Sequence, residues 1–115
     1  MRIYICGPYG ARSGICAQEL EQNVAKAIEA GRQLITKGHN PFVPHLYHYV
    51  QNQGEHICDE DRWLEICLEW VVLCQGMLML DGWRESTGAR REWQYASAFG
   101  RQIFHSIDDV PDAMA

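Results

Sequence analysis

Met77-Leu78-Met79-Leu80-Asp81-Gly82 is an unbroken apolar run closed by a turn signal, and on it the fold turns. A strand with one wet face alternates apolar and polar residues, whereas a strand covered on both faces loses that alternation. Such strands belong to parallel sheets, with crossover helices above and below. Downstream, Gly88 to Phe99 reads as a helix with Gly100 as its stop, and Gln102-Ile103-Phe104-His105 as a last strand. Asp108 to Met114 is expected to form a short terminal helix. Upstream, Asp61 to Cys74 reads as an amphipathic helix with Trp63, Ile66, Cys67, Trp70 and Leu73 on one stripe.

The first half repeats the alternation of strand and helix. Arg2-Ile3-Tyr4-Ile5-Cys6 favours β structure and stops at Gly7-Pro8. Leu20, Val24, Ala27, Ile28, Gly31, Leu34 and Ile35 follow helical spacing, and Lys37-Gly38 ends that helix with a cation and then a glycine. Pro41-Phe42-Val43-Pro44 predicts a short second strand. His45 to Glu60 has no clear period and reads as an active-site loop with room for one helical turn. The order predicts a single α/β domain over residues 1–115, a parallel sheet with helices on both faces.

Composition narrows the function classes. The formal net charge is −5 and no block of Lys and Arg stands out, which argues against nucleic acid as the partner but leaves room for single nucleotides. No apolar stretch approaches the ~18 residues of a spanning helix. Cys6, Cys16, Cys58, Cys67 and Cys74 are an odd number without repeated Cys-x-x-Cys spacing, as expected of a reduced cytoplasmic protein. Met1-Arg2 leads straight into the first strand with no signal-peptide pattern.

In an open parallel sheet, ligands bind beyond the carboxyl ends of the strands, near the switch in strand order. The residues expected there are Gly7-Pro8-Tyr9-Gly10, His45 and Asp81-Gly82-Trp83. Ser86-Thr87-Gly88 precedes a helix start, where Ser86 is suited to cap the helix, to bind an anion, or both. Glu92 shares a helical face with Ala89, Ala96 and Phe99, a face expected to look toward the sheet. Burial there would raise its pKa, while the helix N-terminus would favour its charged form. A dipole-compensating glutamate would show the same pattern.

Ile3-Tyr4-Ile5-Cys6-Gly7-Pro8-Tyr9, Gly38-His39-Asn40-Pro41-Phe42-Val43-Pro44-His45 and Ser86-Thr87-Gly88-Ala89-Arg90-Arg91-Glu92 together resemble the nucleoside 2-deoxyribosyltransferase superfamily. The resemblance covers nearly the whole chain, weakest from Val50 to Asp61. It implies a flavodoxin-like or Rossmann-like fold and cleavage of a deoxyribosyl–base bond, with no cofactor. Glu92 falls at the family's nucleophile, which attacks C1′ to form a covalent ester that water or a second base resolves. Ser86 matches the position facing the substrate's 5′ end, where an acid would repel a phosphate and a serine suits a 5′-monophosphate. Tyr4, Gly7 and the loop from Tyr9 through Gly10 and Arg12 sit where the family holds sugar and phosphate, with Arg12 a phosphate clamp. Relatives assemble as dimers or larger, so a homo-oligomer is implied.

The chain departs from the family at Cys67, which stands where relatives carry an aspartate that assists departure of the base. Asp81 is the candidate to supply that acid instead. The expected activity is therefore hydrolysis of a 2′-deoxynucleoside 5′-monophosphate. Base exchange on free deoxynucleosides, and nucleotide binding with weak or no turnover, are the alternatives. His45, His48, His56 and Cys58 fit no common zinc spacing, and Gly7, Gly10 and Gly14 are too far apart for a dinucleotide fingerprint. His45 is expected to meet substrate or a backbone carbonyl, and Trp83 to stack on a base. Trp63, Trp70 and Trp93 are expected in the core or a subunit interface.

Overall fold

A computed structural model describes residues 1–9, 16–51 and 57–113. Four strands and four helices alternate: β1 (Arg2–Cys6), α1 (Ala17–Thr36), β2 (Asn40–Phe42), α2 (Tyr47–Gln51), α3 (Glu60–Leu73), β3 (Gly76–Met79), α4 (Thr87–Ala98) and β4 (Gln102–Phe104). Single 3-10 turns cover Pro44–Leu46, Trp83–Glu85 and Ile107–Asp109. All strand pairs are parallel and the order is β2-β1-β3-β4. The α/β prediction of a flavodoxin-like or Rossmann-like parallel sheet holds. The chain leaves β1 in one direction to form β2, then returns past β1 to form β3 and β4. The switch in strand order therefore lies between β1 and β3.

Each face of the sheet has its own core, and the alternation within β1 sorts them. Ile3 and Ile5 pack with Leu78, Phe104 and the α1 residues Ala27, Ala30 and Leu34. Tyr4 and Cys6 pack on the other face with Met77, Met79, Val71 of α3, and Ala89 and Ala96 of α4. β3 is buried at all four positions, as its apolar run predicts. β2 lies at the sheet edge, where Pro41 opposite Ile3 is tolerated although it cannot donate to a ladder.

Several expectations shift. Over the described residues 108–113 there is no α-helix: one 3-10 turn ends before Pro111, whose missing N–H and fixed φ disfavour continuation, and Met114 lies outside the described residues. Ile35, Leu73 and Phe99 were expected on inward faces and are exposed, as is Trp70. Leu34 occupies the inward line of α1 and Ile35 lies about 100° around the helix from it. Phe99 follows the last residue of α4 as its C-cap, so the inward line runs out before reaching it. Trp70 packs instead toward the β2 edge, stacked on Phe42 at 4.8 Å and donating from Nε1 to the Tyr47 hydroxyl at 3.1 Å. The stretch read as a loop from His45 holds a 3-10 turn and α2. Among the described residues no helix is long and apolar enough to cross a membrane.

Candidate active site

Period 2 along β1 aims Tyr4 and Cys6 at the same face, and the helical repeat of α4 brings Glu92 to meet them. Ala89 and Ala96, one turn to either side, carry no bulk and let the helix lie close to the sheet. Glu92 is thus only 9% exposed. The Tyr4 hydroxyl donates to its Oε2 at 2.5 Å, and the Cys6 thiol reaches Oε1 at 3.6 Å and the Ala89 carbonyl at 3.3 Å. Cys67, from α3, is partly buried and packs against the cluster that holds Tyr4 and Cys6. Phe42 stacks on the far side of the Tyr4 ring at 5.7 Å and limits how that ring can turn.

Burial dominates the electrostatics. It pushes Glu92 up to about 7, against the bonds from Tyr4, Cys6 and Cys67 that favour the carboxylate. Glu92 lies in the second turn of α4, beyond the first turn where the helix dipole acts most strongly. Burial and the facing Glu92 charge raise Tyr4 and Cys6 well above their ordinary ranges, and push Cys67 up to about 12. All three neighbours hold their protons at neutral pH. Glu92 alone in this group changes charge there, and the group can present either a carboxylate nucleophile or a carboxylic acid.

The turns after the strands form the rim. Gly7 is dictated by packing: a β-carbon on it would lie 2.8 Å from Leu80 Cβ, where the ends of β1 and β3 converge. Gly82 holds φ +88°, a left-handed conformation, and abuts Pro8. His45 is buried and its Nε2 donates to the Pro8 carbonyl at 3.2 Å, as expected of a backbone contact. Burial lowers it to about 4, partly opposed by the Pro8 and Gly7 carbonyls, so the ring is neutral. Tyr9 is tied down through its carbonyl, which accepts from Asn23 at 3.2 Å. Its hydroxyl bonds His48 Nδ1 at 2.7 Å, and His48 Nε2 donates to Glu21 at 2.9 Å.

Ser86 caps α4, its Oγ accepting from the Ala89 amide at 3.2 Å. Gly88 is exposed, and a β-carbon there would meet nothing within 4 Å, so packing does not require glycine. Asp81 and Trp83 lie elsewhere. Both line a cavity of about 210 Å³ at the ends of β3 and β4, with Arg84 and His105 among its other walls and none of the groups bonded to Glu92. Asp81 is exposed, while the Trp83 indole is buried against Trp93 at 5.3 Å under the Arg84 guanidinium. Gly10 and Arg12 lie outside the described residues, as does His56.

The resemblance assigned Tyr4 to the sugar and phosphate and Glu92 to the nucleophile; the structure bonds the two side chains to each other, and the sequence analysis passed over Cys6 and His48 as site residues. Cys6 was legible: it is two residues from Tyr4 on a strand and must share its face. His48 was weighed only as a metal ligand. Among the described residues no group of three or more His, Cys, Asp or Glu side chains is arranged to hold a metal ion.

A family model described as a domain of unknown function (DUF4406) matches residues 1–105. No curated protein matches the chain.

Proposed function

The chain belongs to the DUF4406 family, whose description names no reaction, and from the site itself we propose that it hydrolyses the N-glycosidic bond of a 2′-deoxynucleoside 5′-monophosphate. The observation that carries this is the Glu92 carboxylate, buried beside the switch between β1 and β3 with its oxygens fixed by Tyr4 and Cys6. A desolvated carboxylate ionising near neutrality suits attack on a sugar carbon. Glu92 attacks C1′, the base leaves with the C1′–N electron pair, and water then opens the deoxyribosyl ester. Ser86 and the free amides at the start of α4 favour a phosphate at the substrate's 5′ end. Tyr9 and His45 would line the sugar side of the cleft.

A second reading, nucleotide binding without turnover, is favoured by one observation: the partly buried side chain packed against the Tyr4 and Cys6 cluster from α3 is the thiol Cys67, where a stronger acid would speed departure of the base. The assay that separates the two follows free base after incubation with deoxynucleoside monophosphates or free deoxynucleosides, with and without an acceptor base. Release from monophosphates alone supports hydrolysis, and exchange on free nucleosides without net release points to a transferase. Saturable binding with no product from either substrate class contradicts both enzymatic readings.

Self-association and a cytoplasmic setting belong to the same proposal. The exposed apolar residues Leu46, Tyr49, Val50, Trp70 and Leu73 support a homo-oligomer. Five free cysteines support a reducing compartment.

A further inference from the structure

The cleavage step proposed above leaves one bonded chain of side chains unused: Tyr9, His48 and Glu21. The Tyr9 hydroxyl meets His48 Nδ1 at 2.7 Å, and His48 Nε2 meets the Glu21 carboxylate at 2.9 Å. A carboxylate only accepts, so the ring proton stays on Nε2 and Nδ1 is the acceptor for the Tyr9 proton. His48 is buried and Glu21 is exposed, so the chain runs from the interior out to solvent. Its inner end is fixed: the Tyr9 carbonyl accepts from Asn23, and the His45 ring stands edge-on to the Tyr9 ring at 6.3 Å. Tyr9 follows Cys6, the last residue of β1, by three positions, a span of at most about 11 Å. The Cys6 thiol reaches Glu92, so half-buried Tyr9 stands at the rim of the cleft that Glu92 serves. A carboxylate that holds an imidazole in one tautomer, with a hydroxyl on the other ring nitrogen, is the arrangement of an acid–base relay.

We propose that Tyr9, backed by His48 and Glu21, takes the proton of the water that opens the deoxyribosyl ester. The inference rests on the N-glycosidase reading above and supplies the base for its second step. The water oxygen bonds to C1′ as the C1′–Oε bond to Glu92 breaks, and the electron pair of that bond returns to the Glu92 carboxylate. In the same step the water proton passes to the Tyr9 oxygen, and the Tyr9 proton passes to His48 Nδ1. The imidazolium so formed lies against the Glu21 carboxylate and gives up its extra proton to solvent. The first step needs no such acceptor, because a carboxylate attacks C1′ without losing a proton. The two halves of the reaction are thus served from opposite faces of the sheet, Glu92 from α4 on one and Glu21 from α1 on the other.

The test is rapid-quench measurement of free base from 2′-deoxynucleoside 5′-monophosphates by wild type, Tyr9→Phe and Glu21→Gln, with and without sodium azide. Tyr9→Phe keeps the ring and removes only the hydroxyl. Azide attacks C1′ with no proton to lose, so it bypasses a missing base. Tyr9→Phe is expected to release one base per site in a burst and then to turn over about a hundredfold or more slowly than wild type. Azide should restore its turnover and yield deoxyribosyl azide 5′-phosphate. Glu21→Gln, at the exposed end, should show the same pattern with a smaller loss. A Tyr9 that only ties the turn in place would lower burst and turnover together and leave azide without effect. That result, or wild-type turnover in folded Tyr9→Phe or Glu21→Gln, would overturn the relay and leave the glycosidase reading intact. Should Tyr9→Phe fail to fold, Glu21→Gln decides by the same azide criterion. Release of base by the wild type from none of the monophosphates would overturn the glycosidase reading itself.

Discussion

Glu92 is expensive to bury as an anion, and the residues around it set how that cost is met. Tyr4 commits its proton to Oε2, while the single Cys6 thiol proton is shared between Oε1 and the nearer Ala89 carbonyl, so the side chain is oriented before any ligand arrives. Because Tyr4, Cys6 and Cys67 are all held protonated, the acidic limb of a pH–rate profile belongs to Glu92. Its pKa is raised to about 7 and the nucleophile must be ionised. We therefore expect kcat/KM for base release to climb tenfold per pH unit below about 7 and level off above it. Tyr4→Phe removes a donor that favours the charged form and should move that limb to higher pH. A limb near the ordinary carboxylate value of 4.5, or no shift in Tyr4→Phe, would show that these contacts do not govern the reacting group.

Two elements carry the site, and each can be probed by a substitution that separates folding from binding. The start of α4 is capped by Ser86, so Ser86→Ala should cost about 1 kcal/mol of stability in urea unfolding, whereas Ser86→Gly should cost only about a few tenths. Both remove the hydroxyl from a bound phosphate. Under the proposed reading both raise KM for the monophosphate, and Ser86→Gly does so with stability almost intact. If Ser86→Gly leaves KM unchanged, Ser86 is a cap and nothing more. At the other rim, the β1 end meets the β3 end through Gly7 and Leu80. Gly7→Ala forces a β-carbon into Leu80 and should destabilise by about 1–3 kcal/mol, read as a lower urea midpoint with an unchanged slope.

At the scale of the whole molecule, the buried Glu92 and His45 act on folding with opposite signs. Glu92 has a folded pKa raised from 4.5 to about 7, so its contribution to stability is full below 4.5 and is lost as pH rises through 7. His45 has a folded pKa lowered from 6.5 to about 4, so its contribution is full above 6.5 and is lost as pH falls through 4. Each shift corresponds to about 3 kcal/mol, and the two slopes oppose across pH 4.5 to 6.5. Relative to wild type, Glu92→Gln should therefore gain stability as pH rises across this window, and His45→Gln should lose it. Parallel stability–pH curves for all three proteins would contradict the burial assigned to both side chains.

Which of these features the sequence could disclose follows from how local their causes are. The unalternated run ending at Leu80 needs only its own residues to declare a strand covered on both faces, and the sheet follows. The inward face of α4 was legible as far as the small residues Ala89 and Ala96 reach, and failed at Phe99, where the helix had already ended. Asp81 and Trp83 were expected at the site because they follow a strand. The 3-10 turn over Trp83–Glu85 instead packs the indole on Trp93 and leaves Asp81 in the neighbouring cavity, a tertiary outcome with no local signature. The pairing of His48 with Tyr9 and Glu21 joins residues 39 and 27 positions apart, and no periodicity within one element announces such a contact.

The proposed covalent step is open to direct observation by mass spectrometry of the protein, acid-quenched after mixing with a 2′-deoxynucleoside 5′-monophosphate. The expected result is a mass increase of one deoxyribose phosphate, mapped to the peptide containing Glu92, with base released in at least the amount of the adduct. Glu92→Gln should show neither the adduct nor turnover, with activity reduced by about a thousandfold or more. Turnover that persists in Glu92→Gln, or an adduct on another residue, would contradict the role assigned to this carboxylate.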